Sequence, residues 1–85
     1  MQSWKVRWTH QALKDIGSFE KKIAKRIIRR LELAMTNPKK YFDKLVGCDE
    51  YKLRIGDYRL LAVLSHDTCT ILIERVAHRR NIYKK

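Results

Sequence analysis

Acidic residues are scarce in this 85-residue chain: nine Asp and Glu stand against twenty Lys and Arg, for a net charge of +11 at neutral pH. Such self-repulsion destabilises a small folded domain, so a polyanionic partner is expected. Nucleic acid, an anionic membrane surface and an acidic protein all satisfy the charge. Cysteine is scarce too. Cys48 and Cys69 form neither a CxxC pair nor a zinc spacing, which suits two reduced thiols in a cytosolic protein. His10 and His66 add no metal-ligand spacing, so neither a metal nor another cofactor is expected. Long apolar runs are missing. None approaches the roughly 20 residues that span a bilayer, and Trp4 to Trp8 is broken by Lys5 and Arg7, unlike a signal peptide. A cytoplasmic protein with no membrane partner is expected. Repeats, linkers and low-complexity segments are also lacking, so residues 1–85 read as a single domain.

What is present is a globular pattern. Hydrophobic residues make up 45% of the chain, too many for a disordered one. Twelve basic residues lie at or before position 50 and eight after it, so this is not a neutral domain with a basic tail. Trp4, Val6 and Trp8 alternate with Lys5 and Arg7, the period of a strand with one buried face. Thr9 can cap a helix through Ile16 with Ala12, Leu13 and Ile16 on one side. Gly17 and Ser18 interrupt it. A second helix is predicted from about Glu20 to Met35. Ile23, Ile27, Leu31 and Ala34 form its stripe, and Ala24, Ile28 and Met35 widen it. Thr36-Asn37-Pro38 ends that helix, because the residue before proline is pushed out of the α region.

Lys39 to Asp49 reads as a loop anchored by Leu45, and the remainder as strands. Gly56-Asp57 suits a two-residue hairpin turn of type II′, and His66-Asp67-Thr68 turns the chain again. The predicted order is β-α-α-β-β-β. It gives an α+β fold with two N-terminal helices packed on one face of a largely antiparallel four-stranded sheet.

A two-residue turn pairs Ile55 with Tyr58, Arg54 with Arg59 and Leu53 with Leu60. Alternation then puts Lys52, Arg54 and Arg59 on one sheet face and Tyr51, Leu53, Ile55, Tyr58, Leu60, Ala62 and Leu64 on the other, the natural core face. Like charges directly opposite one another destabilise a sheet. Either this cluster solubilises an exposed face and pairs with nearby acids, or it binds an anion such as phosphate, whose oxygens match the guanidinium fork. In the tail, Arg79, Arg80 and Tyr83 form either a frayed charged terminus or a phosphate- and base-binding segment, since tyrosine can both stack on a base and move a proton. Lys22, Lys25, Arg26 and Arg29 are either the solvated side of an amphipathic helix or a docking face for RNA phosphates. His78 has the chemistry for proton transfer near neutral pH, but a lone histidine at a strand end is also a common structural residue.

These residues carry a resemblance. Trp4-Lys5-Val6-Arg7-Trp8-Thr9, Ala12 to Ile16, Asn37-Pro38, Leu45, Gly47, the run Tyr51 to Leu60, Val76-Ala77-His78-Arg79 and Tyr83 together resemble the RelE family of bacterial and archaeal toxins, within the wider RelE/ParE superfamily. The resemblance covers essentially the whole chain. It implies the toxin of a type II toxin–antitoxin system: a ribosome-dependent endoribonuclease that cuts mRNA in the ribosomal A site under stress and so inhibits translation. Its implied partners are the ribosome with its rRNA, mRNA, and an acidic RelB-like antitoxin. Lys52, Arg59, Arg79 and Tyr83 match the family's active-site pattern, and Arg54 joins them on geometry. His78, Arg80 and the basic residues of the second helix are the further RNA-binding candidates.

In-line attack of the 2′-oxygen on phosphorus depends on positioning and on compensation of the charge that develops on the phosphate. Arg59 suits that compensation and Arg79 the leaving oxygen. Lys52 or Tyr83 would take the 2′-proton, or Tyr83 would stack under a base. One position departs from some family members, which carry a lysine where this chain has Glu50. Glu50 either accepts a proton itself or marks a weakened enzyme. The ParE branch shares the fold but inhibits DNA gyrase without nuclease chemistry, and is the competing expectation.

Overall fold

The computed structural model describes residues 4–45, 47, 50–78 and 80. Its elements are β1 (Lys5–Trp8), α1 (His10–Gly17), α2 (Lys21–Met35), α3 (Pro38–Tyr41), β2 (Asp43–Lys44), β3 (Glu50–Ile55), β4 (Tyr58–Ser65) and β5 (Thr70–His78). The class is α+β, as expected. The sheet differs in detail from the expected one: it has five strands, in the order β1-β5-β4-β3-β2, and is mixed. β1 runs parallel to β5, with Lys5 opposite Thr70 and Trp8 opposite Ile73. The other three pairings are antiparallel. Parallel pairing needs a long crossover, and the helices between β1 and the meander supply one. Periodicity finds strands but not their neighbours, so this pairing was not legible.

The fifth strand lies within the predicted loop. β2 has two residues, Asp43 opposite Lys52 and Lys44 opposite Tyr51, too few for an alternating pattern to register. The one-turn α3 begins at Pro38, which is tolerated at the first helical position because its missing N–H has no helical partner there anyway.

The hairpin follows the predicted register, Ile55 opposite Tyr58 and Arg54 opposite Arg59. Gly56 takes φ +58°, a value that suits glycine, while Asp57 stays at negative φ, as a type II′ turn requires. The core lies between the helices and one sheet face. Ile27, Leu31 and Ala34 of α2 are buried with Leu53, Leu60, Ala62, Ile71, Ile73 and Val76. Two stripe assignments fail: Ile28 is 41% exposed and Leu13 is 53% exposed, because each lies at the rim of its helix's apolar arc.

β1 stops opposite Ile73, so the edge of β5 beyond that point has no strand beside it. α1 takes over. The Thr9 N–H donates to the Ile73 carbonyl at 3.0 Å, and the Thr9 hydroxyl donates to the Glu74 carbonyl at 3.1 Å. The same hydroxyl accepts from the Ala12 N–H at 3.1 Å, capping α1 as predicted. Asp15 finishes the edge: it accepts from the Val76 N–H at 2.9 Å and pairs with Arg75 Nε at 2.9 Å. Burial raises the Asp15 pKa, but the Arg75 side chain, the Val76 N–H and the Gln11 side chain outweigh burial and hold it below its ordinary value.

Asp15→Ala leaves the part-buried Val76 N–H without its acceptor and is expected to cost about 1–3 kcal/mol in urea unfolding. Asp15→Asn is expected to cost less, since an amide oxygen still accepts. Because the folded pKa is depressed, the carboxylate's contribution is present above the unfolded pKa and lost as pH falls through the folded one. Asp15→Asn should lack that acid limb. Equal stability of all three proteins across pH would remove Asp15 from this role.

Candidate nucleic-acid interface

Burying alternate residues of β3, β4 and β5 against the helices sends the intervening ones to the opposite, outer face. β3 sends Glu50, Lys52 and Arg54 there. β4 sends Arg59, Leu61 and Val63, and β5 sends Leu72. Lys52 faces Leu61 and Glu50 faces Val63 across the β3–β4 ladder. The predicted neighbours Lys52 and Arg59 thus share one patch.

Arg59 is half-buried, and its Nε and Nη1 are shielded from solvent with no hydrogen-bond partner among the described residues. An unsatisfied buried donor costs folding free energy, and a charged one costs more. This one also stands opposite Arg54.

Arg54 is exposed. β2 covers β3 only at Tyr51 and Lys52, so among the described residues no strand covers the edge of β3 beyond them. There Arg54 joins Arg26, Arg29 and Arg30 of α2 around a groove of about 590 Å³ floored by Leu33 and Ile55. A neighbouring hollow of about 350 Å³ is lined by Lys22, Lys25, Arg26 and Arg29. The basic residues of α2 therefore lie on the helical side, apart from Lys52 and Arg59, and Arg54 connects the two.

His78 does not reach the outer patch. Its ring lies edge-on to Tyr58, centroids 5.3 Å apart, and Tyr58 meets Phe19 at 5.1 Å on the core side. Its Nδ1 accepts from the Arg80 backbone N–H at 3.3 Å. Arg80 is exposed. Arg79 and Tyr83 lie outside the described residues.

One residue of the patch escaped the sequence reading. β5 carries an irregularity where Leu61 pairs with Arg75 and Ala62 with Ile73, leaving Glu74 as the extra residue of a bulge. Glu74 reaches the Glu50 carboxyl across β4. That hydrogen bond, then burial, then the charge of Glu50 push the Glu74 pKa up to about 7. Glu74 Oε1 is shielded from solvent and has no partner among the described residues. The available signal was Glu74-Arg75, two polar residues breaking the alternation of an otherwise apolar strand. Beyond this pair, Lys5, Arg7, Ser65, Thr68 and Thr70 help line a hollow of about 700 Å³ on the same face. Among the described residues no group of three His, Cys, Asp or Glu is placed to hold a metal, and no helix is long and apolar enough to cross a membrane.

Replacing Arg59 by Met tests whether its position is structural. Arg59 makes no hydrogen bond or ion pair among the described residues, so Arg59→Met is expected to unfold at the same or higher urea concentration. A loss above about 1 kcal/mol, the worth of a typical hydrogen bond, would show that the side chain holds the sheet together.

Comparisons with known proteins agree on the fold. The profile of the family described as "ParE toxin of type II toxin-antitoxin system, parDE" matches residues 6–83. The RelE1 protein of Methanocaldococcus jannaschii is 34% identical over 79 residues, covering 87% of this chain and 88% of the relative. Among solved structures, the Mycobacterium tuberculosis RelBE2 toxin–antitoxin complex contains a chain that superposes with a TM-score of 0.85 at 25% identity, covering 92% of this chain and 100% of that one. A chain of the RelB–RelE complex of Methanococcus jannaschii gives 0.72 at 28% identity, covering 92% and 95%.

Proposed function

Since the chain belongs to the RelE/ParE family of type II toxin–antitoxin toxins, we propose that it is a ribosome-dependent mRNA endoribonuclease of the RelE kind. The observation that carries this reading is Arg59: a guanidinium with unpartnered nitrogens, beside Lys52, on the sheet face away from the helices. In this reading the mRNA lies on the outer face in the ribosomal A site. The 2′-oxygen forms a bond to phosphorus as the bond from phosphorus to the 5′-oxygen breaks, leaving a cyclic phosphate. Arg59 compensates the charge that grows on the phosphate oxygens, and Lys52 holds the strand in line. Arg79 and Tyr83 keep the roles that the family resemblance gives them, charge at the leaving oxygen and base stacking or proton transfer. Lys22, Lys25, Arg26 and Arg29 dock on rRNA phosphates, with Arg54 between the two surfaces. Arg80 joins the RNA contacts. His78, packed on Tyr58, acts by supporting the strand end.

The partner in the resting cell is an acidic RelB-like antitoxin in the cytoplasm, with cleavage released under stress. Two structural relatives were solved in complexes with their own antitoxins, and a net charge of +11 suits an acidic wrapping segment. The description of the matching family profile favours a second reading, a ParE-type inhibitor of DNA gyrase without nuclease activity.

Purified protein on programmed ribosomes separates the two. The expected result is a cut in the A-site codon, with Arg59→Ala lowering the single-turnover rate roughly 100- to 1,000-fold, the usual cost of losing one transition-state donor. Intact mRNA together with inhibited gyrase would establish the ParE reading. Binding carried by phosphate contacts should also weaken steeply with salt, and Lys25→Ala with Arg29→Ala should flatten that slope.

A further inference from the structure

We infer that Glu50 and Glu74 are the proton-transfer pair of the cleavage site, one carboxylate taking the 2′-hydroxyl proton while the partner carboxylic acid protonates the departing 5′-oxygen. The inference rests on the endoribonuclease reading above. It starts from placement. Glu50 is two residues from Lys52 on the same side of β3, and Glu74 follows buried Ile73 on β5, so alternation turns it to that same face. Glu50 stands opposite Val63 and Val63 opposite Leu72, two residues before Glu74, so the two glutamates flank β4 on the face that carries Lys52 and Arg59. Glu74 Oε1 and the Nε and Nη1 of Arg59 are shielded and have no partner among the described residues, so one face holds both an unmet acceptor and unmet donors. A bound RNA offers both: a phosphate for the guanidinium and a hydroxyl for the carboxylate.

Two carboxylates in contact repel, and a chain of net charge +11 has cations available to separate them. Lys52 and Arg54 on β3, Arg59 on β4 and Arg7 on β1 all face this side, with Asp43 of β2 opposite Lys52. None pairs with Glu74. Its neighbour Arg75 is turned to Asp15, in the one ion pair found among the described residues. Glu74 is instead hydrogen-bonded to Glu50, and its pKa of about 7 leaves it protonated in about half of the molecules at neutral pH. One proton on the pair is what the reaction needs. The ionised member accepts from the 2′-hydroxyl, the 2′-oxygen bonds to phosphorus, and the bond from phosphorus to the 5′-oxygen breaks. The protonated member then supplies the 5′-hydroxyl's proton. The pair ends with the one proton it began with. A lysine or tyrosine in this role would have to release a proton ordinarily held with a pKa of about 10, whereas a group near 7 is matched to neutral pH.

The test is single-turnover cleavage on programmed ribosomes between pH 5.5 and 8.5, using wild type, Glu50→Gln, Glu74→Gln and the double variant. Each glutamine keeps the shape of its glutamate, and thermal unfolding at pH 5 checks the fold. The wild-type rate should bend near pH 7. Either substitution should lower the rate about 100-fold or more, erase the bend and leave ribosome affinity unchanged, and the double variant should be little worse than the singles. Variants that cut at the wild-type rate, or that lose rate equally at every pH while keeping the bend, would overturn the assignment and leave the endoribonuclease reading intact. A wild type that leaves mRNA uncut at every pH would remove that reading, and the proton-transfer pair with it.

Discussion

Leu53, Leu60, Ala62, Ile71 and Ile73 leave water on a single side of the sheet, and their burial against the helices dictates what the other side carries. Strand side chains alternate, so a slip of one residue would expose the core set and bury Lys52 and Arg59. Register is therefore held by the free energy of the core, not by any contact the charged residues make with one another. The chemistry of the outer face depends on a packing constraint on the opposite face. A fully buried leucine or isoleucine contributes roughly 1.5–3 kcal/mol, more than the cross-strand repulsion of one exposed pair. That comparison explains how Arg54 can stand opposite Arg59 in a stable sheet.

Much of this was legible in the chain. The hairpin register followed from Gly56-Asp57 and the alternation on either side, and with it the shared face of Lys52 and Arg59. The α2 stripe and the Thr9 cap were equally readable, because each depends on residues within a few positions of one another. What escaped is non-local or very short. The parallel β1–β5 pairing joins residues 65 positions apart, β2 is two residues long, and the bulge at Glu74 becomes visible only once Ala62 is known to pair with Ile73. Alternation placed Arg54 on the outer face, but not at the edge of β3 beyond β2 where it meets three arginines of α2. Edge position is a property of strand order, which no single strand encodes. Arg79 and Tyr83 lie outside the described residues and rest on the composition of the tail and the family pattern.

The bulge has a structural cause. Past Ile73, β5 loses its β1 neighbour, and Thr9 and Asp15 take over its edge hydrogen bonds. α1 offers side-chain acceptors at spacings a strand would not. An extra residue lets β5 satisfy that edge while keeping Val76 in the core. The same insertion leaves Arg75 at the edge, where it meets Asp15, while Glu74 keeps the outward place that alternation after Ile73 gives it.

Unfavourable local features are not spread evenly over this domain. Among the described residues, the unpartnered guanidinium of Arg59, the unpartnered Oε1 of Glu74, the contact between Glu50 and Glu74 and the opposition of Arg54 and Arg59 all fall on one face or its edge. The helix-facing side contains only apolar buried residues. Folding alone would tend to remove such features, since an apolar residue at any of these positions fits the same backbone. Their concentration on one surface is the pattern expected where binding, not folding, sets the residue. Each unmet group also specifies its complement. Arg59 calls for an anion, and a carboxyl raised to a pKa of about 7 calls for a group that gives up a proton or takes one. A phosphodiester beside a ribose hydroxyl is one arrangement that supplies all three.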